Sequence, residues 1–306
     1  MNVLLDILPI FLVIAVGLVG TRRGWLPEEF IAPANRVAYY LAIPALIFRA
    51  VATSPLAQAL QVTPALAALA AQLTAGLVAV AVSARLFSPE ERAARASWVH
   101  CAVHGNQAVM GLAVVYYALG EKGLAAAGLI AGAVIVGQNL WAVFSLTRLG
   151  AGGGKHASPW RQMLLSPIII ATLAGLAWSL GGLVLPGVIE RTLGILGGMG
   201  LPLALLTVGA RLAQGRLGRR WGRLAAMQGI KLLLLPALGL GLVRLAGVPA
   251  VPAAVTVVLL SSPSAIISVI MASQMGGDSR LASQAVVVSH ALCVLTYTAW
   301  LAWLLP

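Results

Sequence analysis

Acidic residues are scarce in this chain of 306 residues, which holds eight Asp and Glu against 20 Lys and Arg. Charged residues make up only 9% of it and hydrophobic residues 60%. A soluble domain carries about 25% charged residues to face water. A chain this apolar cannot cover itself with polar groups, so lipid must be its solvent. The eight carboxylates all fall at the ends of apolar runs or between them. None sits at mid-membrane, which argues against an Asp pair for sodium or proton coupling.

Other absences narrow the function further. There are two cysteines, Cys101 and Cys293, both inside apolar runs, so no disulfide framework is expected. No HExxH, no GxSxG and no paired intramembrane carboxylates occur, and the chain is not expected to be an enzyme. Met1 to Gly20 has neither a basic leader nor a small-residue cleavage site, and it reads as a first spanning helix. No ring-forming filter sequence argues for a channel.

What is present is basic and apolar. The net charge is +12, with Lys and Arg in short clusters between apolar runs. That is the positive-inside pattern of a bilayer protein, and nucleic acid is excluded as a partner. Runs of about 20 apolar residues predict an all-α integral membrane protein of about ten helices. The spans are about 3–21, 32–50, 61–86, 94–119, 122–147, 164–183, 187–211, 222–245, 250–275 and 279–305. A Gly-rich cytoplasmic linker, 151–163, divides a first five-helix repeat, 1–150, from a second, 164–306.

The two halves share landmarks. Ala42-Ile43-Pro44 recurs as Gly200-Leu201-Pro202, 158 positions on, and Leu119-Gly120-Glu121 recurs as Gly276-Gly277-Asp278, 157 on. One shared offset at two distant points predicts a duplicated transporter. Five helices per half make the repeat inverted. Fifteen Lys and Arg on one side against Arg49, Lys122, Arg191 and Arg244 on the other put both termini outside the cell.

Inverted-repeat carriers bind at mid-membrane, where one helix in each half is broken. Helix four contains His104-Gly105-Asn106-Gln107 and helix nine Ser261-Ser262-Pro263-Ser264, and Asn106 plus the offset of 157 is Pro263. Proline and glycine weaken a helix. Half-helix ends with free N–H groups attract an anion without a fixed cation. Gly105, Asn106, Gln107, Ser262, Pro263 and Ser264 are therefore the candidate binding residues; packing kinks are the alternative.

These motifs resemble the auxin efflux carrier family. Gly105-Asn106 with Gly111-Leu112 is similar to its Gly-Asn…Gly-Leu-Pro pattern, and Ser262-Pro263-Ser264-Ala265 to its helix-nine break. Gly276-Gly277-Asp278, Ile43-Pro44 and Lys231-Leu232 with Pro236 are also similar, so the resemblance spans the chain. It implies crossing helices four and nine. Scaffold helices would lie at about 3–50 and 164–211, and transport helices at about 61–147 and 222–305, moving in an elevator-like way. It also implies a homodimer, a small organic anion as substrate, and a cavity position for Asn139. Ala113 stands where the family has proline, as does Ser264. The long loop of plant auxin exporters is missing, which points to the compact bacterial branch and its inner membrane.

A few polar groups remain inside spans. His104 and His290 either bind substrate or carry a proton, or are hydrogen-bonded between helices. His100 and His104 form an i, i+4 pair without a nearby carboxylate, so no metal or cofactor is expected. Gln72 and Gln138 are interhelical glue or cavity lining. Lys231 is expected to snorkel to the cytoplasmic interface, and six of the tryptophans, including Trp160 and Trp300, to anchor span ends. The expected function is potential-driven export of small organic anions such as carboxylates, one charge gaining about 2.3 kcal/mol per 100 mV. The alternative is a sodium- or proton-coupled carrier of a related crossing-helix fold.

Overall fold

A computed structural model describes residues 3–55, 60–150, 167–214 and 221–304. The expected linker 151–163, with Lys155, Trp160 and Arg161, lies outside the described residues, as do Arg216, Arg219 and Arg220. Among the described residues the chain is helical, without a β-strand.

The first half begins with α1 (Val3–Arg22), α2 (Glu28–Ala52) and α3 (Val62–Leu86). It continues with α4 (Arg92–Cys101) and α5 (Gln107–Arg148). Next come α6 (Pro167–Leu180), α7 (Gly187–Ala213) and α8 (Trp221–Leu245). The chain ends in α9 (Ala250–Leu260), α10 (Ile267–Gln274) and α11 (Ser279–Leu304). Six of these helices, α2, α3, α5, α7, α8 and α11, are long and apolar enough to cross a membrane. The protein is thus built as a multi-pass membrane protein.

Two boundaries depart from a straight-helix reading. The expected span 94–119 is interrupted between α4 and α5, and its second part runs on without a loop into the expected span 122–147. A straight helix of the 42 residues of α5 would be about 63 Å long, roughly twice the hydrocarbon thickness. Gly120, at φ 65° and ψ −161°, breaks it into two legs. That backbone is open to glycine and strained for other residues.

Proline chemistry explains two wider turns. The π-helical segment Ala38–Ala42 precedes Pro44, and the segment Gly229–Leu234 precedes Pro236. A proline cannot donate to the carbonyl four residues earlier, which for Pro236 is that of Leu232. Trp300 Nε1 on α11 donates to this carbonyl at 3.0 Å. Trp300 therefore ties α11 to α8 as well as lying towards a span end.

The helices pack as two groups. In one, α1 lies against α7, and α2 against both α6 and α7. Glycines set the α1–α7 approach: a Cβ on Gly17 would strike the Leu206 carbonyl oxygen, and one on Gly209 that of Ile14. Without lipid-excluding forces between helices, close packing of small residues holds such pairs. Glu28 meets Arg211 at 2.6 Å and Arg49 approaches Glu190 at 3.8 Å, so α2 and α7 run antiparallel with an ion pair at each end. In the other group, α3 packs on α5 and α8, α9 on α5 and α8, and α11 on α4 and α10. Arg223 pairs with Glu91 through both terminal guanidinium nitrogens, at 2.7 and 2.9 Å, within this group. Arg49 also bonds Glu121 at 3.0 Å, joining α2 to the second leg of α5.

Candidate functional site

The breaks between α4 and α5 and between α9 and α10 meet. Gly105 and Ser264 pair as a single antiparallel bridge. Asn106 N–H donates to the Pro263 carbonyl at 2.7 Å, and Ala265 N–H to the His104 carbonyl at 3.1 Å. Backbone groups freed by a helix break in an apolar interior must find partners, and here each break satisfies the other. Proline suits its position, because Pro263 contributes a carbonyl and has no N–H to satisfy.

Two further side chains complete the crossing. Gln138 Oε1 on α5 accepts the Gly105 N–H at 2.9 Å, and Ser289 Oγ on α11 accepts the Ser264 N–H at 2.9 Å. The N–H groups of Gly105, Asn106, Ser264 and Ala265 are thus all occupied, rather than free for a ligand as the sequence predicts. Ser264 Oγ donates to the Cys101 carbonyl at 3.1 Å, and Tyr297 OH donates to Ser262 Oγ at 3.1 Å. Gly111 is needed beside Ser262, since a Cβ there would lie 2.7 Å from Ser262 Oγ.

Side chains supply the open donors instead. Asn106 Nδ2 and both Nε2 and Oε1 of Gln107 are buried without a hydrogen-bond partner. Gln107 itself is fully buried. Such groups are costly in an apolar interior unless something fills the vacant bonds.

The remaining expected residues divide. His104 is buried at the break with Nδ1 unpartnered, and its ring stacks edge-on to His100 at 4.7 Å. His290 Nδ1 bonds the Val286 carbonyl oxygen at 2.8 Å, one turn away on its own helix, while Nε2 has no partner. Gln138 belongs to the crossing through Gly105. Asn139, the next residue, is half-buried on another face of α5 and makes no hydrogen bond to the crossing among the described residues. Gln72 is glue: its Nε2 donates to the Val134 carbonyl at 3.1 Å, joining α3 to α5.

Lys231 overturns its expected position. It does not snorkel; it is completely buried, and its Nζ donates to the carbonyl of Leu260, the last residue of α9, at 3.0 Å. A Cβ on Gly105 would lie 2.7 Å from this Nζ. Lys231 therefore faces the crossing. Ser289 and Tyr297 are also absent from the sequence-derived set; their signal was only that both are polar groups within an apolar run.

Comparison with known proteins agrees with this architecture. The membrane transport protein family matches residues 2–156 and 155–301. An uncharacterized transporter of Methanothermobacter thermautotrophicus is 24% identical over 303 residues, 96% of each chain. Another, of Methanocaldococcus jannaschii, is 24% identical over 314 residues, 98% of this chain and 97% of its own. A protein of Rhizobium meliloti named "Putative malonate transporter" is 28% identical over 303 residues, 95% of this chain and 92% of its own. These relatives are transporters by name and none is an enzyme. With its whole length matched, this chain belongs to the membrane transport protein family, the auxin-efflux-carrier-like family that its motifs resemble.

Proposed function

We propose that the protein is a carrier of small organic anions such as carboxylates, with its binding site at the crossing of the α4–α5 and α9–α10 breaks. The observation that carries this reading is the set of buried, unpartnered donors on Asn106 and Gln107 beside two helix breaks that satisfy each other. Donors without partners in an apolar, water-poor interior suit a ligand rich in acceptors. The name of the Rhizobium meliloti relative supports an organic acid as cargo.

The proposed architecture is two inverted five-helix repeats, residues 1–150 and 164–306, in the inner membrane with both termini outside, assembled as a homodimer. The offset of 157 between Asn106 and Pro263, together with their direct hydrogen bond, supports the inverted relation. The grouping of α1, α2, α6 and α7 apart from the remaining helices supports a scaffold and a moving body, hence elevator-type alternating access. Gly105, Asn106, Gln107, Ser262, Pro263 and Ser264 form the site. Gln138 stands behind it and His104 lies at the break; His290 and Asn139 are the further members of the proposed set. Export of an anion is driven by the inside-negative potential, about 2.3 kcal/mol per charge per 100 mV.

The test is efflux of labelled malonate, succinate and acetate from proteoliposomes whose potential is set by a potassium gradient and valinomycin. Faster efflux at inside-negative potential, in sodium-free buffer, is the expected result. Absence of flux for every acid, or flux that appears only with sodium, would sink it.

A further inference from the structure

Lys231 is the only Lys or Arg buried among the described residues. Its surroundings do not neutralise it: no carboxylate of the described residues forms an ion pair with it, and among them its hydrogen-bond partner is the Leu260 carbonyl. An ammonium has three donors, so two are left. A buried charge persists only when paired or well hydrogen-bonded.

The remaining donors have a direction. A Cβ added at Gly105 would lie 2.7 Å from Lys231 Nζ and 2.7 Å from Gln107 Nε2. Two nitrogens so close to one point are at most twice that distance apart, near enough for one acceptor to serve both. Glycine at 105 is what lets both nitrogens lie this close to its backbone. Gln107 Nε2 has no partner of its own, nor does Asn106 Nδ2 on the preceding residue. An ammonium and an amide converging on Gly105, with a second unpartnered amide on the next residue, form the donor half of a carboxylate site.

We propose that Lys231 is the charged anchor of the site, holding a carboxylate of the substrate over Gly105 together with Gln107. This rests on the anion-carrier reading and sharpens it: the crossing contributes a fixed cation besides helix ends and neutral donors. It also explains how a carrier that gives Lys231 no carboxylate partner among the described residues keeps a lysine in its core. The ammonium is paired when the anion arrives.

Calorimetric titration of the purified full chain with acetate, malonate, succinate, phenylacetate and the uncharged malonamide tests it. Wild type is expected to bind at least one acid and not malonamide. Lys231→Met is expected to weaken that acid roughly ten- to hundredfold, the range for losing a hydrogen bond to a charged group, and Gln107→Leu about tenfold. Should Lys231→Met not fold, Lys231→Arg keeps the charge but changes its shape, and a loss of about tenfold or more is again expected, since the two cations are not interchangeable at a shaped site. A folded Lys231→Met protein that binds the acid as wild type does, while Asn106→Ala does not, overturns the anchor and leaves the crossing site standing. A wild type that binds none of the acids overturns both.

Discussion

Asn106 gives its main-chain N–H to the carbonyl oxygen of Pro263, 2.7 Å away, and the same residues stand 157 positions apart, at the offset that relates Glu121 to Asp278. The contact uses the backbone of Asn106 and leaves its side-chain Nδ2 without a partner. Asn106→Ala should therefore keep the crossing. Deleting an unsatisfied buried amide removes a desolvation penalty, so the melting temperature is expected to be unchanged or raised. Anion efflux in the same variant should fall at least roughly tenfold, the loss of about one hydrogen bond to a charged ligand. Melting and flux measured on one preparation check both halves.

Gln138 and Ser289 behave oppositely. Each accepts a buried N–H, of Gly105 and of Ser264, at 2.9 Å. Gln138→Leu or Ser289→Ala leaves that donor unpaired, at about 1–3 kcal/mol. Lowered melting temperatures are expected for both, and a double variant should depart from the sum, because Gly105 and Ser264 are bridge partners in one hydrogen-bonded crossing.

The α1–α7 contact should be intolerant of size. Gly17→Val and Gly209→Val push side chains into the carbonyls of Leu206 and Ile14. Overpacking of this kind costs about 1–3 kcal/mol and sometimes more. Loss of folded protein on size-exclusion chromatography, or a clear fall in melting temperature, is the expected reading. Gly222→Ala, with no atom of the described residues within 4 Å of its Cβ position, is the control and should not lower the melting temperature.

Arg49 and Glu121, 3.0 Å apart with side chains 26% and 58% exposed, join the two groups of helices. Exposed pairs contribute less than about 1 kcal/mol, so Glu121→Gln should barely move stability. Its expected effect is on rate: if the groups move past each other, flux changes with the pair broken, and the salt dependence of flux seen in wild type weakens. Equal flux and equal salt dependence in both proteins would show that the pair is only a surface contact.

The helix breaks were legible in the sequence because proline, glycine and serine act locally, and Asn106 and Pro263 could be matched by counting. Which way a side chain points was less legible. Lys231 lies in the π-helical segment Gly229–Leu234, where the wider turn shifts the rotational phase of everything after it. A lysine expected to snorkel to the interface turns inward instead. Gln138 and Asn139 show the same limit: adjacent residues differ by about 100° around the helix, and only packing decides which one meets Gly105. Gly120 was visible as a boundary, but not that the two legs of α5 meet there without a loop.

Two bonds of the tie between the breaks join main-chain atoms only: Asn106 N–H to the Pro263 carbonyl, and Ala265 N–H to the carbonyl of His104. Backbone bonds are blind to side-chain identity. A lineage can therefore exchange the side chains of Asn106 and Gln107, and with them the cargo, without dismantling these two bonds. Selection for a new substrate and selection for folding act here on different atoms, which makes the crossing a place where specificity can drift cheaply.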